Sequence, residues 1–272
     1  AGPIVRANEF VPQLYKPFNI STREYGLAIF MILAGLTKKL VFGDYIAVNF
    51  IDRIYENPAM YTGFENLMAL FAYSLQVYCD FSGYTDIAIG LALLLGFYLP
   101  TNFNSPYKAQ STAEFWGRWH ISLSTWLKDY LYIPLGGNRN STWGTWITLA
   151  AILLVTVFLS HNLNLLYIFA GIGVLMALIF RIFPKVKVFI VRDINLMITM
   201  VLGGLWHGAS LNFVLWGGIN GLGVVWYKYW SKISPFKNNN HWLVRAYAIL
   251  LTFTFVSLVR IFFRAQDLET VQ

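Results

Sequence analysis

From Ile194 to Asn220 no side chain carries a formal charge, and most are large and apolar. A helix needs roughly 20 such residues to cross a bilayer, and hydrocarbon offers no partner to free backbone N–H and C=O groups. The stretch is therefore predicted to be helical and in a membrane. Similar runs occupy Phe64–Leu99, Trp143–Ser160, Leu163–Phe183 and Trp242–Phe263. Hydrophobic residues make up 57% and charged residues 12% of the chain, against about 45–50% and about 25% in soluble domains. The expectation is an all-α, polytopic transmembrane helical bundle with re-entrant or interfacial helices. No Ser/Gly/Pro-rich linker divides residues 1–272, so one domain is expected, and no internal repeat is visible.

The net charge of +7 does not mark a nucleic-acid binder, because the cations do not gather on one face with stacking aromatics. They stand mostly at the ends of apolar runs, as the positive-inside rule requires. Arg139 and the cluster Arg181, Lys185, Lys187 and Arg192 are thereby assigned to the cytoplasmic side, with the hairpin tip at His161 outside. Lys228, Lys232, Lys237 and Arg245 mark a second cytoplasmic loop, whereas Arg260 and Arg264 end the last run on the wrong side for this alternation. The single Cys79 excludes an internal disulfide and leaves no thiolate metal centre to expect; it reads as an inert core thiol.

Polar groups within apolar runs are the candidates for function. His207 lies in Gly203-Gly204-Leu205-Trp206-His207-Gly208, thirteen residues after Ile194, or about 20 Å along a helix and deep in the hydrocarbon. The small neighbours leave space for a backbone or a substrate. In Phe64–Leu99, a break at Gly83 would give two spans. Gln76, Asp80 and Tyr84 share one helical face, and Ser82 and Asp86 another. Their carboxylates must pair with cations, line a wet cavity or occupy a turn.

Residues 1–22, with three prolines, read as an extended surface approach. Tyr25–Leu36 and Leu40–Phe50 are each too short to span, which predicts a tilted or interfacial helix. Lys38 and Lys39 between them are either snorkelling anchors or a cationic lip for an anionic ligand. Thr112–Leu131 is predicted as one interfacial or re-entrant helix. Glu114, Arg118, Ser122, Thr125 and Asp129 form its polar stripe, and Trp116, His120, Leu123 and Leu127 face the other way. On this pattern alone His120 reads as a core histidine.

Leu205-Trp206-His207-Gly208, together with Glu114-Phe115-Trp116-Gly117-Arg118-Trp119-His120-Ile121-Ser122-Leu123-Ser124, resembles the signature pair of the membrane-bound O-acyltransferase family, in its bacterial branch of alginate and peptidoglycan O-acetyltransferases. Ala1-Gly2-Pro3-Ile4, the segment Asp80 to Leu91 and the segment Trp126 to Arg139 fall in the family's order. The resemblance implies a chain that lacks N-terminal spans of a longer protein, with a two-span hairpin inserted at about 140–193. Gly117 departs from the pattern, standing where many relatives carry a basic residue.

The resemblance also implies a chemistry. An acyl group, as acetyl, moves from a cytoplasmic thioester donor (acetyl-CoA or an acyl carrier) to a hydroxyl of an extracytoplasmic glycan or a partner protein, with no bound cofactor or metal. The setting is the bacterial inner membrane, with membrane lipid around the chain and a soluble, extracytoplasmic esterase-like partner. His207 is the candidate general base, since imidazole has the pKa that activates a hydroxyl near neutrality. His120 is the candidate oxyanion donor. Trp206, Trp119, Arg118, Asp129, Asp86, Lys38 and Lys39 are candidate substrate-binding residues. The lack of a Gly-x-Ser-x-Gly elbow favours direct transfer over a serine acyl-enzyme. Two other classes stay open: a transporter using Asp80, Asp86 and His207 as a proton or ion path, and a non-catalytic scaffold of a glycan-export complex.

Overall fold

The computed structural model describes residues 2–264 other than Asn238 and the side chain of Lys185. Ala1, which opens the first motif quoted above, lies outside the described residues. Among these no strand forms; Phe103 and Trp119 make an isolated antiparallel bridge. Six helical stretches are long and apolar enough to cross a membrane. The chain divides into two compact units, Ala1–Ser124 with Arg245–Arg260, and Thr125–Val244 with Ile261–Gln272.

The first unit opens with a short helix α1 (Ala7–Phe10) and a tight turn at Val11–Tyr15, so its approach is partly helical rather than extended. Helix α2 (Thr22–Leu36) starts at a capping box: Ser21 Oγ accepts from Glu24 N–H at 3.2 Å, and Glu24 accepts from Ser21 N–H at 2.9 Å. It continues through wide turns at Thr37–Asp44 and Ala47–Ile51 into α3 (Asp52–Glu56). The two short runs of the sequence thus join in one 35-residue helical stretch, Thr22–Glu56. Lys38 and Lys39 do not interrupt it, because facing carboxylates neutralise them.

Those carboxylates belong to α4 (Gly63–Leu94), which begins at a second capping box, Thr62 with Glu65. It is a single unbroken helix of 32 residues, about 48 Å long. The expected break at Gly83 does not occur. Gly83 is instead the place where α4 touches α2: a Cβ on it would lie 2.7 Å from the Gly35 carbonyl oxygen, and one on Gly35 would lie 2.5 Å from that of Gly83. Small residues let the two backbones meet.

The predicted helix over 112–131 is also corrected. The chain forms α5 (Thr112–Trp116), turns, forms α6 (Ile121–Leu127), and widens at Lys128–Tyr132. His120 causes the turn by taking a left-handed backbone, φ +46°, which no helix interior accommodates. Glu114 and Arg118 keep their i,i+4 pair at 2.7 Å, but Ser122 hydrogen-bonds Asn102, and no continuous polar stripe exists. Around the turn, Phe115, Trp119 and Ala109 pack with Val256 of α11 (Trp242–Val259).

The second unit holds the hairpin of α7 (Trp143–Ser160) and α8 (Asn164–Ile182), with His161 at its tip as predicted. Next come α9 (Pro184–Leu205), α10 (Leu211–Ile233) and the short α12 (Ile261–Arg264). Asn195 of α9, fully buried, ties this unit together. Its Nδ2 donates to the carbonyls of Gly137 (3.1 Å) and Asn140 (3.0 Å), and its Oδ1 accepts from Thr145 Oγ1 of α7 at 3.1 Å. That fixes the turn through Gly136 and Gly137, both at positive φ, against two helices.

Candidate active site

His207 stands in the turn between α9 and α10, where its N–H donates to the Gly204 carbonyl at 2.9 Å. The expected depth is corrected by the helix start. Since α9 begins at Pro184, it runs 22 residues before the turn, or about 33 Å. His207 therefore lies past the end of a full span rather than midway along one. Gly204 and Gly217 serve the packing of α9 on α10, because a Cβ on either would meet the backbone of the other helix. They make room for a backbone, not for a substrate.

Four aromatic rings surround the imidazole. Trp206, Trp216 and Phe263 meet it edge-on with centroids at 4.8, 5.2 and 5.0 Å, and Phe213 stacks at 6.2 Å. No side-chain or backbone group of the described residues hydrogen-bonds it, so both ring nitrogens remain available. Burial pulls its pKa down to about 4, since an apolar surround disfavours the charged form. The imidazole is neutral at pH 7, the state a proton acceptor requires. Trp206 is 52% exposed and forms the open wall of this box. Trp216 and Phe263 were not singled out from sequence, and for Phe263, far along the chain, no sequence signal existed.

The other motif histidine sits in different surroundings. His120 is 2% exposed, with the Phe81 ring edge-on at 4.7 Å. Trp119, 7% exposed, stacks on Phe115 and lies under the Arg260 guanidinium at 4.4 Å. Arg260, unplaced by the positive-inside alternation, is thus a buried cation held by an aromatic face. Arg118 is bound to Glu114 and to the Asn104 carbonyl at 3.1 Å. Lys38 pairs with Asp86 at 2.5 Å, and Lys39 with Asp44 at 2.6 Å and Asp80 at 3.0 Å. Two lysines against three carboxylates leave this cluster at −1.

The sequence-selected residues therefore fall in separate groups. His207, Trp206 and the half-buried Asp129 belong to the second unit; His120, Trp119, Arg118, Asp86, Lys38 and Lys39 belong to the first. Within the first, Lys38 meets Asp86, and Trp119 and His120 share Phe81. Among the described residues no group of three or more His, Cys, Asp or Glu side chains is placed to hold a metal ion.

Several long apolar helices and an imidazole at a helix–helix turn define an integral, multi-pass, all-helical membrane protein. The model of the MBOAT, membrane-bound O-acyltransferase, family matches residues 1–187, and the chain belongs to that family. It is 35% identical over 272 residues to a peptidoglycan O-acetyltransferase of Helicobacter pylori, covering 99% of this chain and 42% of that protein. It is likewise 35% identical over 274 residues to a probable alginate O-acetylase AlgI of Pseudomonas aeruginosa, covering 99% and 41%. A teichoic acid D-alanyltransferase of Bacillus subtilis is 26% identical over 268 residues, covering 94% and 55%. The chain spans about two fifths of the length of the first two relatives.

Proposed function

We propose that this chain is part of a membrane O-acyltransferase that carries an acetyl group from a thioester donor to a hydroxyl of an extracytoplasmic glycan. The setting is the bacterial inner membrane, and a soluble extracytoplasmic protein assists the transfer. The relatives named for O-acetyl transfer to peptidoglycan and alginate support the reaction class. The observation that carries the reading is His207: a neutral imidazole, free of hydrogen bonds from the described residues, beside the exposed Trp206. In the reaction, a ring nitrogen takes the proton of the acceptor hydroxyl as its oxygen attacks the thioester carbon. Collapse of the tetrahedral intermediate then forms the ester and expels the thiolate, which takes up the proton.

His120 has a different part in this reading. At 2% exposure and with Phe81 on its ring, it offers no open face to substrate, so we assign it as a positioning residue of the turn through Gly117.

The test is ester formation from labelled acetyl thioester and a glycan oligomer by the full-length protein with its partner. His207→Ala is expected to lower turnover by about 10²–10⁴-fold at equal expression. His120→Ala is expected to lower it less, with part restored by His120→Asn. Near-normal turnover by His207→Ala would remove it as the base. Counter-ion flux without ester would favour a transporter.

A further inference from the structure

A cavity of about 300 Å³ opens between the Gly136–Ser141 turn and the first turns of α9, lined by Arg139, Asn140, Ser141, Lys187, Val188 and Val191. Two features bear on what it holds. Among the described residues, the exposed Arg139 guanidinium and Lys187 ammonium and the Ser141 hydroxyl have no protein hydrogen-bond or ion-pair partner, and all three line the same cavity. And the turn that presents Arg139 is held rigid, its carbonyls at Gly137 and Asn140 clamped by the buried Asn195. Two cations and a hydroxyl around one cavity, on a fixed frame, have the charge and donors to take an anion.

Phosphate esters are the anions a membrane supplies at this depth. Arg139 precedes α7 and Lys187 begins the span Val186–Leu205, so both stand at the level of the headgroups. Val188 and Val191 supply an apolar floor, and the exposed Val188, Phe189 and Ile182 continue it into the surrounding lipid. A phosphate-bearing thioester donor has the same charge but fits less well. Lys187 and the end of α9 at Leu205 are eighteen residues apart, about 27 Å along one helix, further than an extended phosphopantetheine arm carries a thioester. We propose that this cavity binds the phosphate of an anionic phospholipid, with Arg139 and Lys187 on the phosphate oxygens and Ser141 donating to one of them.

The test is native mass spectrometry of the full chain in detergent, titrated with phosphatidylglycerol, with an uncharged diacylglycerol as control. Arg139→Gln and Lys187→Gln should each weaken phosphatidylglycerol binding about fivefold, and together about 25-fold, without changing diacylglycerol uptake. Arg139→Lys and Lys187→Arg should keep most of the affinity, which separates loss of charge from loss of fold. Equal binding by wild type and the double variant overturns the site. So does displacement of phosphatidylglycerol by coenzyme A at one-to-one stoichiometry, which would give the cavity to the donor. The exclusion of the donor rests on the proposed role of His207, whereas phospholipid binding is read without ester formation, so failure of the lipid site and failure of the transferase reading are distinguishable.

Discussion

Lys38→Met and Asp86→Asn break the same 2.5 Å ion pair, yet they are expected to differ in cost. The pair belongs to a cluster of two lysines and three aspartates, Lys38 with Asp86 and Lys39 with Asp44 and Asp80. Removing Asp86 takes the cluster from −1 to zero, and the two remaining lysines still have two carboxylates. Removing Lys38 takes it to −2 between two apolar helices. An uncompensated buried charge costs roughly 3–5 kcal/mol, and a charge at the centre of a membrane helix roughly 2.5–3.5 kcal/mol. These side chains are a quarter to a third exposed, so the lower end applies. Lys38→Met should destabilise by about 3 kcal/mol and Asp86→Asn by about 1 kcal/mol. The double variant Lys38→Met/Asp86→Asn should return to within about 1 kcal/mol of wild type. Unfolding in mixed micelles under denaturing detergent measures all three. Equal costs for the single variants, or an additive double variant, would refute the cluster account. Unchanged stability with a raised donor KM would return the lysines to the donor.

Gly35→Ala places a Cβ 2.5 Å from the Gly83 carbonyl, a backbone atom that cannot swing aside, so α2 and α4 must part; a loss of about 1–3 kcal/mol is expected by the same unfolding assay. Asn195→Leu removes the donor to the carbonyls of Gly137, which is buried, and Asn140, while Thr145 keeps its bond to the Leu135 carbonyl, with an expected loss of about 2 kcal/mol and faster proteolysis of the Gly136–Ser141 turn. The His207 pKa, at about 4, lies below the usual 6.5, so between those values the unfolded chain binds a proton that the folded chain refuses. Stability should therefore be full above pH 6.5 and fall as pH drops toward 4, and His207→Phe should flatten that part of the profile.

The elements set by continuous apolarity were legible. Trp143–Ser160 is a helix with the predicted ends, and α8 differs from its predicted run by a residue at each end, because a lipid-facing helix is specified almost wholly by its own composition. What composition does not carry is what faces a given residue across a helix pair. Gly83 looks the same in sequence whether it breaks a helix or admits a neighbour, and only the carbonyl of Gly35 decides. Lys38-Lys39 reads as an interruption until Asp80 and Asp86 of the next helix are opposite. One error had a local signal that outweighed the pattern used, and another had none. Pro184 after Phe183 is a helix-start signal, ten residues before the apolar run begins at Ile194. The heptad-like spacing from Glu114 to Asp129 hid the turn at His120, since a left-handed histidine leaves no mark in periodicity.

Helix α9 carries most of what distinguishes the second unit. Lys187 stands in its first turns, Asp193 and Asn195 near its middle, Gly204 at its last turn, and His207 just beyond. Asp193 takes the charges of Lys228 and a 2.5 Å hydrogen bond from Tyr229 of α10, while Asn195 binds the Gly136–Ser141 turn. Gly204 sets the helix against Gly217. These contacts hold α9 at its start, middle and end, so the separation between Lys187 and His207 is that of one rigid helix. An anion at the start of α9 then cannot act on the imidazole directly. The proposed anion site and the proposed base thus stand at opposite ends of one helix, joined by its packing.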